Sequence, residues 1–177
     1  MKKVILIYGL IAGSIVAAMM FITMPMYQSG ALNLDNGEWV GYTTIVVALS
    51  MVFFGIKSYR DNHSNGSISF VKGFKVGILI TLIACIMYGL AWEVSYSQIG
   101  DDFMKKINEK YYAEMVAKAA TEKELQEAKK QWDSFSEMYK NPLFRFGFTV
   151  FVEIFPVGLI ITLVSAGILR KKEFLPA

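Results

Sequence analysis

The sequence has very few of the residues from which metal and catalytic sites are usually built. It contains one cysteine, Cys85, and one histidine, His63. With a single residue of each type, an intrachain disulfide and most zinc or cysteine–histidine sites are excluded. A phosphate-binding glycine loop and a His-Glu-x-x-His pair are also missing. We therefore predict no catalytic residue, no metal and no cofactor, and we expect the protein not to be an enzyme.

Charged residues are scarce in four long stretches of the chain. Hydrophobic residues make up 54% of the sequence, compared with roughly 45–50% in a typical soluble domain. A helix needs roughly 20 apolar residues to cross the hydrocarbon core of a membrane. The sequence therefore predicts an all-α protein, a four-helix transmembrane bundle that forms a single membrane domain over residues 1–177. The predicted spans are about residues 4–25, 39–56, 73–93 and 145–169.

The first predicted span follows two lysines, as the apolar region of a signal peptide does. Its apolar run, which ends at Pro25, is longer than the roughly 7–15 residues of a cleavable signal. We therefore interpret this segment as a helix that the protein retains.

Lysine and arginine in the short loops indicate the orientation of the bundle. With four spans, three basic clusters fall on one side of the membrane: Lys2–Lys3, Lys57–Arg60 and Arg170–Lys172. The first loop, residues 26–38, has no lysine or arginine. Cytoplasmic loops carry an excess of positive charge, so both termini are predicted to be cytoplasmic. The net charge of +3 forms no single basic face, which argues against nucleic acid as a partner.

Residues 97–141, between the third and fourth spans, are predicted to form an extramembrane helical segment. Asp101 and Asp102 follow a glycine and are expected to cap its first helix. Thr121 and Glu124 have the spacing of a capping box, which predicts that a second helix starts there. The two helices either fold as a separate hairpin or continue the third and fourth spans.

An apolar stripe runs along each of these two helices. In the second helix the stripe includes Trp132 and Phe135. Such a stripe is more often used for packing inside a protein than for docking. We keep both alternatives and name Trp132 and Phe135 as candidate contacts for a partner.

Small residues recur every four positions along three of the spans. Apolar side chains gain little by leaving lipid for one another, so close helix packing in membranes depends on small residues and polar contacts. The stripes predict packing within the bundle, with a dimer interface as the alternative. The candidate packing residues are Gly9, Gly13, Gly73, Gly77, Thr81, Cys85, Gly89 and Gly158.

One carboxylate, Glu153, lies well inside a predicted span. An ionisable group in such a position is costly and marks a candidate functional site. Pro156 follows it and cannot donate a hydrogen bond to the carbonyl of Val152, which predicts a kink beside the carboxylate. Glu153 and Pro156 are therefore the candidate functional residues. They handle an ion or a proton, or they contact a lipid or a partner, or the carboxylate only forms packing hydrogen bonds with another span.

Several segments carry specific motifs, among them an Arg-Asp-Asn turn and a Glu-x-Phe-Pro-Val-Gly run. They are Tyr8–Gly13, Gly55–Asn62, Ile68–Lys75, Tyr139–Arg145 and Glu153–Leu159. In these segments the chain resembles a bacterial family known as domain of unknown function 4199. The resemblance covers nearly the whole chain and implies a small multi-span protein of the bacterial inner membrane. It implies no activity and no site residue.

One functional expectation and one alternative follow. We expect an integral membrane protein of the bacterial inner (cytoplasmic) membrane, with a structural or interaction role through its periplasmic helical segment. The alternative is a small transporter or channel component that uses Glu153 near the kink at Pro156. The lipid bilayer surrounds the spans, and the interaction role calls for a protein partner or a homo-oligomer.

Overall fold

The computed structural model describes residues 1–119 and 121–171. This part of the chain is almost entirely helical, which confirms the all-α prediction. The elements are α1 (Lys2–Ser29), α2 (Leu34–His63), α3 (Phe70–Lys118), α4 (Glu122–Tyr139), α5 (Pro142–Phe148), a π-helical segment (Thr149–Ile154) and α6 (Phe155–Leu169).

Four helical stretches are long and apolar enough to cross a membrane. They are Lys2–Tyr27, Asn36–His63, Phe70–Gly100 and Pro142–Leu169. Each contains one of the four predicted spans, and the fourth combines α5, the π-helical segment and α6. The architecture is therefore that of a multi-pass membrane protein, with a four-helix bundle as its core.

The first helix extends beyond the predicted span of about residues 4–25. α1 continues through Pro25 to Ser29 and stops at Gly30, whose φ of 78° is left-handed. A proline inside a transmembrane helix is tolerated, since local adjustments and neighbours satisfy the backbone groups that it frees. Glycine adopts the left-handed conformation without steric cost, which makes it the effective stop.

α3 is a single helix of 49 residues that crosses the membrane and continues beyond it. At about 1.5 Å per residue it is roughly 70 Å long, more than twice the thickness of the ~30 Å hydrocarbon core. The prediction that Asp101 and Asp102 start a new helix is therefore wrong. A glycine such as the preceding Gly100 destabilises a helix by only about 1 kcal/mol. Trp92 and Phe103, which lie before and after Gly100 in α3, are in edge-to-face contact.

α4 starts at the predicted capping box and returns along α3. The Thr121 side chain accepts the backbone N–H of Glu124, and the Glu124 carboxylate accepts the N–H of Thr121, both at 3.2 Å. Further along, Trp132 of α4 stacks on Tyr111 of α3 with ring centroids 4.3 Å apart. The two alternatives for residues 97–141 are thus combined, because the first half continues the third span and the second half folds back on it.

The two ends of the bundle differ. The start of α1 and the end of α6 lie at one of them, called here the termini end, and the hairpin of α3 and α4 projects from the other, the hairpin end. At the termini end, Ile68 and Lys171 exchange two backbone hydrogen bonds of 3.0 Å. Arg60 Nη1 also donates to the carbonyl of Leu169 at 3.5 Å. The loop before α3 and the end of α2 are therefore both joined to the end of α6.

α3 is the central helix, because every other helix of the described chain, from α1 to α6, packs on it. α6 approaches it most closely where small residues face one another. A Cβ on Gly77 would lie 2.8 Å from Thr162 Cγ2, and a Cβ on Gly158 would overlap Cγ2 of Thr81. The hydroxyls of Thr81 and Thr162 are 3.0 Å apart and fully buried. Small side chains and one polar contact thus join α3 and α6, as expected for helices that pack in lipid.

Replacing Gly158 by leucine should destabilise the bundle, because the new side chain would collide with Thr81. Overpacking a filled interior typically costs about 1–3 kcal/mol. We therefore expect a lower midpoint of thermal unfolding in a mild detergent. Gly167→Leu in the same helix is the matched control, since nothing lies within 4 Å of a Cβ at Gly167. Equal midpoints for the two variants would contradict this account of the α3–α6 contact.

Candidate functional site

A cavity of about 430 Å³ lies between the helices at the hairpin end. α1, α2, α3 and α4 contribute to its walls, and the fourth span contributes Phe148 and Glu153. α2 packs on α6 and borders the cavity with its first turns, from Gly37 to Ile45. Most of the lining is apolar or aromatic, and its two carboxylates, Glu38 and Glu153, are exceptions.

Of the two predicted functional residues, Glu153 lines the cavity and Pro156 does not. The Glu153 side chain is partly buried, and its Oε2 accepts a hydrogen bond of 3.4 Å from the hydroxyl of Tyr88 on α3. No lysine, arginine or histidine is among the described residues that line the cavity. The cavity therefore presents a carboxylate that a hydroxyl holds, with no basic side chain in the lining to balance it.

The backbone around Glu153 is wound as a π-helix. The N–H of Phe155 donates to the carbonyl of Val150, five residues earlier. The next residue, Pro156, has no N–H and cannot continue the ordinary helical pattern. In place of a simple kink, the chain thus forms a wide turn that carries Glu153. Such turns are rare and frequently occur at functional sites.

Aromatic side chains form the wall next to Glu153. Trp92 Nε1 donates a hydrogen bond of 2.9 Å to the hydroxyl of Tyr139. The ring of Tyr139 packs edge-on against Phe148, with centroids 5.9 Å apart. Burial raises the pKa of Tyr139 to about 12, so this hydroxyl keeps its proton at neutral pH and adds no charge to the cavity.

The hairpin of α3 and α4 covers the cavity. Trp132 donates from Nε1 to Asn108 Oδ1 at 2.8 Å and stacks on Tyr111. Phe135 lies edge-on to Phe148, with centroids 5.2 Å apart. Both Trp132 and Phe135 are partly buried and line the cavity. The structure therefore turns the two candidate partner contacts towards the interior of their own chain.

The candidate packing residues lie where helices of the same chain meet. Cβ atoms on Gly9 and Gly13 would contact side chains of α3, and one on Gly73 would lie 3.4 Å from Ala166 of α6. A Cβ on Gly89 would lie 2.7 Å from the ring of Phe146. Cys85 is fully buried. These residues, together with Gly77, Thr81 and Gly158, form the small-residue stripes, and the stripes make contacts within one chain.

A buried ion pair near the cavity was not predicted. Arg145 of α5 donates from Nε to Glu93 Oε1 at 2.9 Å and from Nη2 to Glu93 Oε2 at 2.5 Å. Its Nη1 donates to the carbonyl of Tyr139 at 3.1 Å, and its guanidinium lies 3.8 Å over the ring of Tyr96. The Arg145 side chain is 7% exposed. One guanidinium thus joins α3, α5 and the end of α4 by a bidentate, charge-assisted contact.

The sequence does contain a signal for this pair. Arg145 stands at the start of one apolar span and Glu93 at the end of the preceding one. With four spans, those two positions fall at the same boundary of the membrane, where opposite charges are expected to pair. Recognising the pair from the sequence requires matching the two span ends, whereas each charge alone looks like an ordinary end-of-span residue.

The family described as "Protein of unknown function (DUF4199)" matches residues 7–171 of this chain. The chain belongs to this family. The DUF4199 match extends over all four spans, the α3–α4 hairpin and the cavity, and it confirms the resemblance seen in the sequence. No curated protein and no solved structure matches the chain. The bacterial origin that the resemblance implies stays a prediction.

Glu93→Gln should destabilise the protein strongly, since it leaves the guanidinium of Arg145 buried without its carboxylate. Breaking a buried pair by removing one partner costs about 3–5 kcal/mol. We expect a clear loss in the free energy of unfolding, measured by denaturant titration in detergent micelles. Glu127→Gln is the matched control, because Glu127 and Lys123 are exposed and 3.9 Å apart, and exposed pairs contribute little. Equal losses in the two variants would contradict the anchoring role of Arg145.

Proposed function

We propose that this DUF4199 protein binds a small amphiphilic substrate within the membrane and acts as a transporter or as the substrate-binding component of one. The observation that carries the proposal is the cavity at the hairpin end, with Glu153 in its lining. Ligand sites are typically concave, of roughly 300–1,000 Å³, largely apolar, and equipped with few polar groups that orient the ligand. The volume and the lining of this cavity match that description.

The contacts of the hairpin favour this function over the interaction role that the sequence suggested. Trp132 and Phe135 pack on α3 and α5 and border the cavity, so their rings are occupied within the chain. The π-helical winding at Glu153 favours a functional carboxylate over one that only supports packing. The hairpin is then part of the binding site as its cover.

We also propose the inner membrane of a bacterium as the location, with both termini in the cytoplasm. The basic residues at the termini end include Lys57 and Lys72, and the first loop, at the hairpin end, has no lysine or arginine. The positive-inside rule then places the termini end in the cytoplasm. In this orientation the cavity lies in the outer half of the membrane, and the hairpin lies in the periplasm.

Reporter fusions test this orientation. A reporter that is active only outside the cytoplasm should be active when fused after residue 120 and inactive when fused after residue 65. A reporter that is active only in the cytoplasm serves as the control and should give the reverse result. The opposite pattern with both reporters would invert the orientation.

Filling the cavity should abolish ligand binding. Gly41 lines the cavity, and nothing lies within 4 Å of a Cβ there, so Gly41→Trp adds a large ring at the cavity without a clash at its Cβ. The probes are decyltrimethylammonium, decanol and decanoate, added to the purified protein in a non-ionic detergent. A ligand at about 100 times its Kd stabilises the folded state by roughly 2.7 kcal/mol. At least one probe should therefore raise the midpoint of thermal unfolding of the wild type and leave that of Gly41→Trp unchanged.

Gly167→Trp is the control for this experiment. Gly167 is also free of neighbours within 4 Å of a Cβ, but it does not line the cavity. This variant should respond to the probes as the wild type does. If no probe raises the wild-type midpoint, or if Gly41→Trp responds equally, the cavity is not a ligand site and the proposed function fails.

A further inference from the structure

The charge of the cavity lining indicates which class of ligand the cavity accepts. Its carboxylates are Glu153, which is partly buried, and Glu38, which is exposed. The described lining contains no lysine, arginine or histidine. A buried carboxylate is costly unless a positive group accompanies it. A ligand that brings a positive charge would therefore satisfy Glu153, whereas an anion would meet repulsion and no donor stronger than a hydroxyl or an indole N–H.

The aromatic composition of the wall is a second, independent indication. Trp92 and Tyr139 are linked by a hydrogen bond, and Tyr88 donates to Glu153. Phe148 packs against Tyr139 in the same wall. The faces of tryptophan, tyrosine and phenylalanine attract ammonium groups, and sites for quaternary ammonium ligands are commonly lined by such rings. A carboxylate among aromatic rings is thus suited to an ammonium group.

A bare metal ion matches this cavity less well than an organic cation does. Calcium takes six to eight oxygen ligands, and magnesium requires a near-ideal octahedron. The described residues contain no cluster of three or more His, Cys, Asp or Glu side chains that would hold a metal ion. A bare ion would also leave most of the cavity of about 430 Å³ unfilled. An organic cation satisfies the carboxylate and fills the space.

The part of the lining that α1 provides is suited to an alkyl chain. It includes Met19, Met20 and Met24. Methionine is flexible and polarizable, and it adapts to apolar ligands of different shape. The cavity therefore combines a carboxylate among aromatic rings with adaptable methionine side chains, of which Met20 packs in the same cluster as Trp92.

Resting on the proposed function, we infer that the substrate is an ammonium-bearing amphiphile. Its ammonium group binds at Glu153 among the aromatic rings, and its apolar part lies along the methionines of α1. Two sources supply this chemistry, a free organic cation and a membrane lipid whose headgroup carries an ammonium group. The experiment below separates them.

The test measures affinity for decyltrimethylammonium, decanol and decanoate with the full chain in phosphatidylglycerol nanodiscs. Binding is followed through tryptophan fluorescence, with empty nanodiscs as the blank. We expect the cation to bind more tightly than the other two probes. Glu153→Gln should weaken binding of the cation about tenfold or more, because the quaternary ammonium, which has no N–H to donate, loses the opposite charge that it faces. Glu153→Asp keeps the charge and should bind within a few-fold of wild type, and Glu127→Gln should bind as wild type does.

The outcomes distinguish this inference from the proposed function. If decanol or decanoate binds best and Gly41→Trp blocks it, the cavity binds ligands but the cation inference is wrong. The inference is also wrong if the cation binds equally to wild type and to Glu153→Gln, while each of these two proteins elutes as a single folded species. If no probe binds, the proposed function fails together with it.

The lipid source is tested by adding phosphatidylethanolamine to the phosphatidylglycerol nanodiscs. The substrate is the lipid headgroup if two results are found together. Native mass spectrometry shows phosphatidylethanolamine retained by wild type and not by Glu153→Gln, and phosphatidylethanolamine displaces decyltrimethylammonium. If phosphatidylethanolamine does not compete while the free cation binds, the substrate is a free organic cation. Equal retention by both proteins, with no displacement of the probe, likewise excludes the lipid as the ligand of Glu153.

Discussion

Polar contacts join the fourth span to α3 on both sides of Glu153. Near the termini end, small residues and the Thr81–Thr162 contact join α6 to α3. At the hairpin end, Arg145 binds Glu93 through both of its carboxylate oxygens. The backbone between these points contains the hydrogen-bond gap caused by Pro156. Because both ends are held, the gap is accommodated locally by the π-helical segment, which carries Glu153.

The lipid environment explains why a cavity is compatible with a stable bundle. Helices in a membrane gain little from burying apolar side chains against one another, so their association depends on small residues and polar contacts. In this chain those contacts lie along α3, where α1 and α6 approach it most closely. The hairpin end is held mainly by polar contacts, among them Arg145–Glu93 and Trp92–Tyr139, and its cavity is lined largely by aromatic and methionine side chains. The bundle can therefore leave a cavity at this end while polar contacts hold the surrounding helices.

Much of the fold can be predicted from the sequence, because the signals are local. The spans follow from their apolar lengths, the start of α4 from the capping box at Thr121, and the close approaches from the four-residue spacing of small residues. Glu153 stands out because a charge within a span is rare. The continuity of α3 through Gly100, the π-helical winding and the inward direction of Trp132 depend on tertiary contacts that no local pattern encodes. The Arg145–Glu93 pair requires two distant span ends to be matched.

Cysteine accessibility in nanodiscs shows whether a cation reaches the cavity beside Glu153. Thr44 lines the cavity, whereas Val164 is exposed on α6 outside it. Wild-type Cys85 is buried and provides the blank. A water-soluble thiol reagent should label Thr44→Cys faster than Val164→Cys, and decyltrimethylammonium should slow only the labelling of Thr44→Cys. Two results would contradict this binding site. Thr44→Cys could be labelled as slowly as Val164→Cys, or the cation could leave the labelling of Thr44→Cys unchanged.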